Sequence, residues 1–343
     1  MFNFCTYFDQ NFLVRGLTLY RSLERHASPF VLWVLCFDDL TYDVLSKLDL
    51  PNLRPVSLHV LERDDEALLA AKRGRSQVEY YFTCTPSWLL HILNHSPEVD
   101  LITYLDADLF LFSNPQPIYE ELGHRSILIV GHRFPEELRD LERYGIYNVG
   151  LLAFRDDTYG RACLHWWRER CLEWCYDQVE NGRFADQKYL DDWPVRFQRV
   201  VAVQHKGAGL APWNVSSYSL TLGNGQVLVD SQPLVFFHFH DFKQIGRWLY
   251  DPGLARYQVQ ARTLVKQHIY QPYIRGLHVA GRSASGMLGQ AHTYLRSSRR
   301  SRPDVHNKPS VFRRVVRNFG HPLSSTKKLL RGELWLVVSG RIL

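Results

Sequence analysis

Apolar positions recur with two different periods over the first sixty residues. NFCTYFD (3–9) and FVLWVLCF (30–37) are short, nearly continuous apolar runs that read as strands, the second apolar on both faces like a strand covered by helices on each side. Between them, QNFLVRGLTLYRSLERH (10–26) puts Phe12, Leu13, Leu17, Tyr20 and Leu23 on one face of a helix. TYDVLSKLDL (41–50) predicts a second helix and RPVSLHVL (54–61) a third strand. The alternation β-α-β-α-β predicts an α/β fold with a doubly wound, Rossmann-like sheet.

Further along, residues 76–95 predict a helix, with Pro86 tolerated near a helix start. DLITY (100–104), SILIVGHRF (126–134) and YNVGLLAF (147–154) read as strands, and SNPQP (113–117) as a stop. A long helix is predicted from about Gly160 to Asn181. It would carry Cys163, Cys171 and Cys175 on one face, as buried thiols rather than as a metal cluster, because no paired zinc-ligand spacing is present. No internal repeat is visible.

Charge changes this picture at one end. Residues 296–343 hold 12 Lys+Arg and 2 Asp+Glu, while the whole chain carries a formal +6, so residues 1–295 are at −4. A mildly acidic body thus bears a basic tail. In the tail, PSVFRRVVRNFG (309–320) predicts a helix starting at Ser310 and stopping at Gly320, with Val311, Phe312, Val315, Val316 and Phe319 opposite Arg313, Arg314 and Arg317. Such a helix suits an anionic membrane surface or packing on the protein body. A second apolar segment, LWLVVSGRIL, ends the sequence. No secretory signal and no uncharged apolar stretch of spanning length occur, so a cytoplasmic protein is expected, peripheral at the inner membrane face if the tail binds lipid. No nucleic-acid motif accompanies the tail, and a nucleic-acid partner is not expected.

The chemistry concentrates in YLDADLFLF (104–112). Asp106 and Asp108 interrupt a run that otherwise reads as buried, and burying unpaired carboxylates is costly. Ligands of open α/β sheets bind beyond the carboxyl ends of the strands. Residues i and i+2 of an extended segment point the same way, so the two aspartates can aim at one hard divalent cation, Mn²⁺ or Mg²⁺. FFHFHDFK adds His238 and His240 as candidate ligands, and Lys243 as a candidate phosphate contact. HKGAGLAPWN places Gly207 and Gly209 beside His205 and Lys206, where backbone could approach a ligand closely. Asp186 and Gln187 end a glycine-containing turn and also suit a helix N-cap.

In combination these segments resemble the GT-A glycosyltransferases, and most of all the family of glycogenin and the lipopolysaccharide galactosyl- and glucosyltransferases, including bacterial capsule and O-antigen enzymes. FCTYFDQNFLVRGLTLYRSL, YLDADLFLF, YNVGLLAF, ADQKYL, LAPWN and HFHDFK follow the family order over about residues 3–250. The resemblance implies a GT-A domain over 1–255, a helical extension over 256–295 and the basic tail over 296–343. It implies a nucleotide-diphosphate sugar donor, with Thr6, Tyr7 and Asp9 at the base and ribose. Asp106, Asp108 and a histidine would hold the metal, His238 in the family's leading position and His240 as alternative. Asn148 and Gly150 match its N-x-G near the acceptor, and Asp186 and Gln187 its D-Q facing the transferred sugar. In the family's H-x-x-G-x-x-K, Asp241 here replaces the glycine and the lysine comes one residue early. By analogy the expected reaction is hexose transfer from a UDP-sugar, with retention, to a saccharide or lipid-linked acceptor in surface polysaccharide synthesis. Asp186, Asp191 and Asp192 leave an inverting mechanism open. A sugar-phosphate nucleotidyltransferase is the alternative enzyme, though FCTYFDQN has no glycine for its phosphate loop; a non-catalytic nucleotide-sugar binder is the other.

Overall fold

The computed structural model describes residues 1–288, 328, 331–338 and 340–342. The chain opens with β1 (Phe2–Phe8), α1 (Leu13–His26), β2 (Phe30–Cys36), α2 (Asp39–Leu48) and β3 (Leu53–Ser57). Then follow α3 (Leu58–Asp64), α4 (Glu66–Ala71), α5 (Gln77–His95), β4 (Leu101–Leu105), β5 (Leu109–Leu111), α6 (Gln116–Leu122), β6 (Ile127–Gly131), β7 (Tyr147–Arg155) and α7 (Thr158–Glu173).

The main sheet has seven strands in the order β3-β2-β1-β4-β7-β6, closed at its edge by β8 (Val200–Ala202). β7 runs against both neighbours, and the remaining pairs are parallel. Side chains alternate across it as the pleat requires. Phe4 and Phe8 of β1 and Leu32 and Val34 of β2 join the core under α1 and α2, while Cys5 and Leu35 face α5 and α7. The first half of the chain is therefore doubly wound as the alternating pattern predicts. The strand order reverses between β1 and β4, which opens a crevice at their carboxyl ends.

Three boundaries differ from the sequence reading. RPVSLHVL is only half strand: β3 ends at Ser57, whose hydroxyl accepts from the His59 amide and starts α3. Pro86 lies well inside α5, not at its start. The Phe82 carbonyl that Pro86 cannot serve accepts the Thr85 hydroxyl at 3.0 Å, which satisfies the gap locally. The helix after β7 ends at Glu173, so Cys175 lies beyond it, and the three cysteines do not share one helical face. All six cysteines are buried free thiols.

The second half adds short elements. α8 (Trp193–Arg196) leads to β8, followed by the meander β9 (Leu220–Gly223), β10 (Gln226–Val229) and β11 (Gln232–Pro233). β12 (Phe236–His238) pairs antiparallel with β5, setting His238 opposite Leu109. β13 (Lys243–Gln244) and β14 (Leu249–Asp251) begin a small sheet that the end of the sequence completes, through β15 (Trp335–Val338) and β16 (Arg341–Ile342). The described residues of LWLVVSGRIL thus pack on the body: Leu334, Trp335 and Val337 are buried. α9 (Gln271–Leu288) lies on α1. The expected helix at 310–320 falls outside the described residues. Among the described residues no helix is long and apolar enough to cross a membrane.

Candidate active site

β4 carries its apolar run to Leu105, and the chain then turns so that the Asp106 carbonyl accepts from the Leu109 amide at 3.1 Å. Asp106 is anchored by its own amide, which donates to the Gly150 carbonyl of β7 at 2.9 Å. The β5–β12 pairing brings His238 across to the same point. Its Nε2 lies 3.1 Å from Asp108 Oδ1 and 3.6 Å from Asp106 Oδ2. One ligand atom from each of the three residues lies within 4.8 Å of the others. The His238 side chain is only 5% exposed, against 30% for Asp106 and 14% for Asp108, so the carboxylates form the open side.

The donor set is two carboxylates and one imidazole, which suits Mn²⁺ and its neighbours. Without a metal ion the imidazole itself supplies the balancing charge. Burial pushes the Asp106 carboxyl up, with the Asp108 charge adding to it against the pull of His238. Asp108 resists its burial because His238 beside it holds its carboxyl well below the usual range. Burial works against a charged His238, and the two aspartates overcome it, so its pKa is raised. A bound cation would take over that role from the His238 proton and leave the imidazole neutral, as a ligand must be.

Gly150 makes this approach possible. A Cβ there would sit 2.5 Å from Asn148 Oδ1 and 3.0 Å from His238 Nδ1. Asn148 Oδ1 accepts from the Gly150 amide at 2.9 Å, while its Nδ2 donates to Gln187 Oε1 at 3.2 Å. Gln187 Nε2 in turn donates to the Tyr144 carbonyl at 3.0 Å. Asn148, Gly150 and Gln187 therefore form one connected set. Gln187 precedes a short 3₁₀ turn but makes no capping bond with its side chain.

Asp186 lies deeper, 4% exposed, after Ala185 in the left-handed region at φ +45°. Burial lifts its carboxyl to about 7, with the Asp106 charge adding to the effect and the Thr85 hydroxyl opposing it. Thr85 Oγ1 lies 2.9 Å from Asp186 Oδ2 and 3.0 Å from the Phe82 carbonyl, yet its hydroxyl has one hydrogen to donate. A proton kept on Asp186 resolves that competition. Tyr7 joins the same set through its hydroxyl, 3.1 Å from Thr85 Oγ1.

The other expected residues are placed as follows. Thr6 is fully buried and its carbonyl accepts the Trp88 indole N–H, so its side chain faces protein rather than the crevice. Asp9 accepts from Asn11 and, at 3.5 Å, from Tyr81, whose ring stacks on Phe37 with centroids 3.7 Å apart. His240 stands apart from the three-residue group, with its Nε2 3.7 Å from Asp241, because β12 ends at His238 and the next residues turn. Asp241 adopts φ +59°, which explains a glycine at the matching position of the resembled family; aspartate is one of the few other residues that tolerates it. Lys243 Nζ lies 3.4 Å from Asp241 and remains 42% exposed. The close approach expected at Gly207 is to the chain itself: a Cβ there would meet the Pro233 carbonyl at 1.9 Å. Lys206 pairs with Asp230 at 2.9 Å.

Three residues of the site escaped the sequence reading. Tyr104 donates to Asp106 Oδ1 at 2.8 Å, and its signal was there, two positions earlier on the same strand face. Thr85 gave none, because α5 meets the 186–187 turn only in three dimensions. His132, buried and drawn down to about 3 chiefly by that burial, lies 3.2 Å from Asn148 Nδ2. Its carbonyl accepts from both Trp213 and Asn214, which fixes the LAPWN segment against β6.

No family model matches the chain. It is 37% identical over 251 residues to Bacillus subtilis (strain 168) "Uncharacterized protein YfnF", a match covering 71% of this chain and 82% of YfnF. With YfnD of the same organism it is 30% identical over 279 residues, covering 80% of this chain and 88% of YfnD. Among solved structures, the galactosyltransferase LgtC, crystallised with donor and acceptor sugar analogues, aligns with a TM-score of 0.51 at 14% identity, covering 82% of this chain and 95% of LgtC. The chain therefore belongs to the family of YfnF and YfnD, and it has the GT-A fold of LgtC.

Proposed function

We propose that this chain is a glycosyltransferase moving a hexose from a nucleotide-diphosphate sugar, with UDP as the carrier, to a saccharide or lipid-linked acceptor in surface polysaccharide synthesis. One observation carries the reading: Asp106, Asp108 and His238 converge at the point where the strand order of the sheet reverses. Mn²⁺ or Mg²⁺ held by these residues would neutralise the diphosphate as it leaves.

The chain's own groups divide the remaining work. Tyr7 and Asp9, at the end of β1, receive the nucleoside end of the donor, beside the Phe37–Tyr81 stack. Tyr104 keeps Asp106 oriented by donating to Oδ1, with Oδ2 turned towards His238 and the metal position. Asn148 and Gln187 hold one another by a direct hydrogen bond, so both present fixed amide groups to the sugar and the acceptor. Lys243 meets the diphosphate by exchanging its Asp241 partner for phosphate oxygens.

Retention of anomeric configuration is the better supported outcome. Inversion needs an accessible carboxylate base. Asp191 accepts from the Ile146 amide and pairs with Lys188 at 2.7 Å, and Asp186 is 4% exposed. Asp192 is open to solvent but faces Arg196 at 3.9 Å. The basic tail fits attachment to an anionic membrane surface on the cytoplasmic side, where a lipid-linked acceptor would lie.

The test is a panel of UDP-, GDP- and dTDP-sugars scored for Mn²⁺-dependent protection against thermal unfolding, then for transfer. Protection by one nucleotide class, only with the metal, supports the reading. Metal-dependent binding without transfer or hydrolysis favours a non-catalytic binder. Pyrophosphate release from a nucleoside triphosphate and a sugar phosphate identifies a nucleotidyltransferase.

A further inference from the structure

Away from the crevice, His91 and His95 lie four residues apart on α5, a spacing that puts both side chains on one face. Asp64, at the end of α3, reaches that face. Asp64 Oδ2 lies 3.5 Å from His91 Nδ1 and 3.7 Å from His95 Nε2, and all three ligand atoms fall within 4.8 Å of one another. A tetrahedral zinc with bonds of about 2.0–2.1 Å sets its donor atoms roughly 3.4 Å apart. The observed separations are close to that value.

The hydrogen bonding around the group fixes which atoms face inward. His95 Nδ1 lies 2.8 Å from the His91 carbonyl, which can only accept, so Nδ1 carries the hydrogen. In the neutral ring, Nε2 then presents a lone pair to the Asp64 carboxylate. Lone pairs opposed in this way are held together by a proton or a cation between them. A backbone carbonyl taking the far N–H is also the usual support of a metal-bound histidine. The His91 ring stacks on Trp88, with centroids 5.6 Å apart and planes at 22°, and is 10% exposed, so it is held in place. Arg63 occupies the other Asp64 oxygen at 3.2 Å and leaves Oδ2 to the histidines. The His95 side chain is 56% exposed, which leaves a coordination position open to water.

We propose that Asp64, His91 and His95 form a second metal site, selective for Zn²⁺ or a similar borderline ion, that clips α3 to α5. Two imidazoles and one carboxylate suit such an ion better than Mg²⁺, which prefers oxygen ligands. The site is separate from the crevice: His95 lies ten residues beyond Thr85 on the same helix, about 15 Å along its axis. It does not depend on the transferase reading.

The experiment uses the untagged full chain carrying Asp108→Asn, so that the crevice does not compete for metal, and titrates ZnCl₂ by calorimetry and by thermal unfolding. The expected result is one equivalent of Zn²⁺ bound at this site and a raised melting temperature. Adding His95→Ala should weaken that binding at least tenfold and abolish the shift, and Asp64→Asn should do the same. Because His95 is half exposed, its variant should melt as its parent does without metal, which separates lost ligation from lost fold. Absence of zinc binding, or binding of equal strength and stoichiometry after His95→Ala, would overturn the proposal.

Discussion

Gly150 shows how much the site depends on a single missing side chain. Its backbone is ordinary; the constraint is space, since a Cβ would press on both Asn148 Oδ1 and the His238 ring. Gly150→Ala should therefore displace the imidazole by a fraction of an ångström to about an ångström. That is enough to cost roughly a hundredfold in turnover, and steady-state transfer rates with a melting curve would show activity falling well before stability. Asp186 offers a separate test through pH. Its carboxyl sits near 7 in the folded protein and at about 4 when unfolded, so the folded state holds the extra proton. Stability contributed by this group is complete below pH 4, declines as pH rises to about 7, and then levels off. About three units correspond to about 4 kcal/mol as an upper figure. Asp186→Asn should remove that slope from urea midpoints between pH 4 and 7; an unchanged slope would show that Asp186 is ionised throughout. At this scale the sequence was informative where chemistry is local. The D-x-D stood out because two acids broke an apolar run. Thr85 and His132 were not legible, since nothing near them in sequence says what they face.

At the scale of elements, the ending of the chain is the least expected feature. β15 pairs with β14 across more than eighty residues, Leu249 opposite Leu336, and the Trp335 ring meets Tyr270 edge-on with centroids 4.8 Å apart. Such pairing leaves no mark in local periodicity, so LWLVVSGRIL read only as an apolar segment. The same limit explains RPVSLHVL, where the run of apolar residues continued but Ser57 capped a helix and turned the chain. By contrast β1, β2, α1 and α2 were legible because each has a clear period and the connections are short. Trp335→Ala should cost about 3–5 kcal/mol, as truncation of a buried aromatic residue does. Urea unfolding would measure it, and a loss below about 1 kcal/mol would mean that the last strands are not integral to the body.

For the whole molecule, charge and fold separate: the mildly acidic body carries the candidate site, and the tail carries the cations. Because β15 and β16 belong to the body, shortening the chain is a poor test of the tail, as it would remove buried residues as well. Replacing Arg313, Arg314 and Arg317 by Gln is cleaner. At about 1 kcal/mol per cation near an anionic surface, the triple change should lower partition onto anionic vesicles roughly a hundredfold at low salt; no vesicle binding by the unaltered chain would remove the membrane from the account. The central claim, that the crevice between β1 and β4 performs metal-assisted transfer from a nucleotide sugar, is met most directly by one comparison. Release of nucleoside diphosphate from the donor identified by the panel is measured with Mn²⁺ and with chelator, for the unaltered chain and for Asp108→Ala, with melting curves to confirm the fold. The account predicts turnover only for the unaltered chain with metal, and full activity of Asp108→Ala in chelator would contradict it.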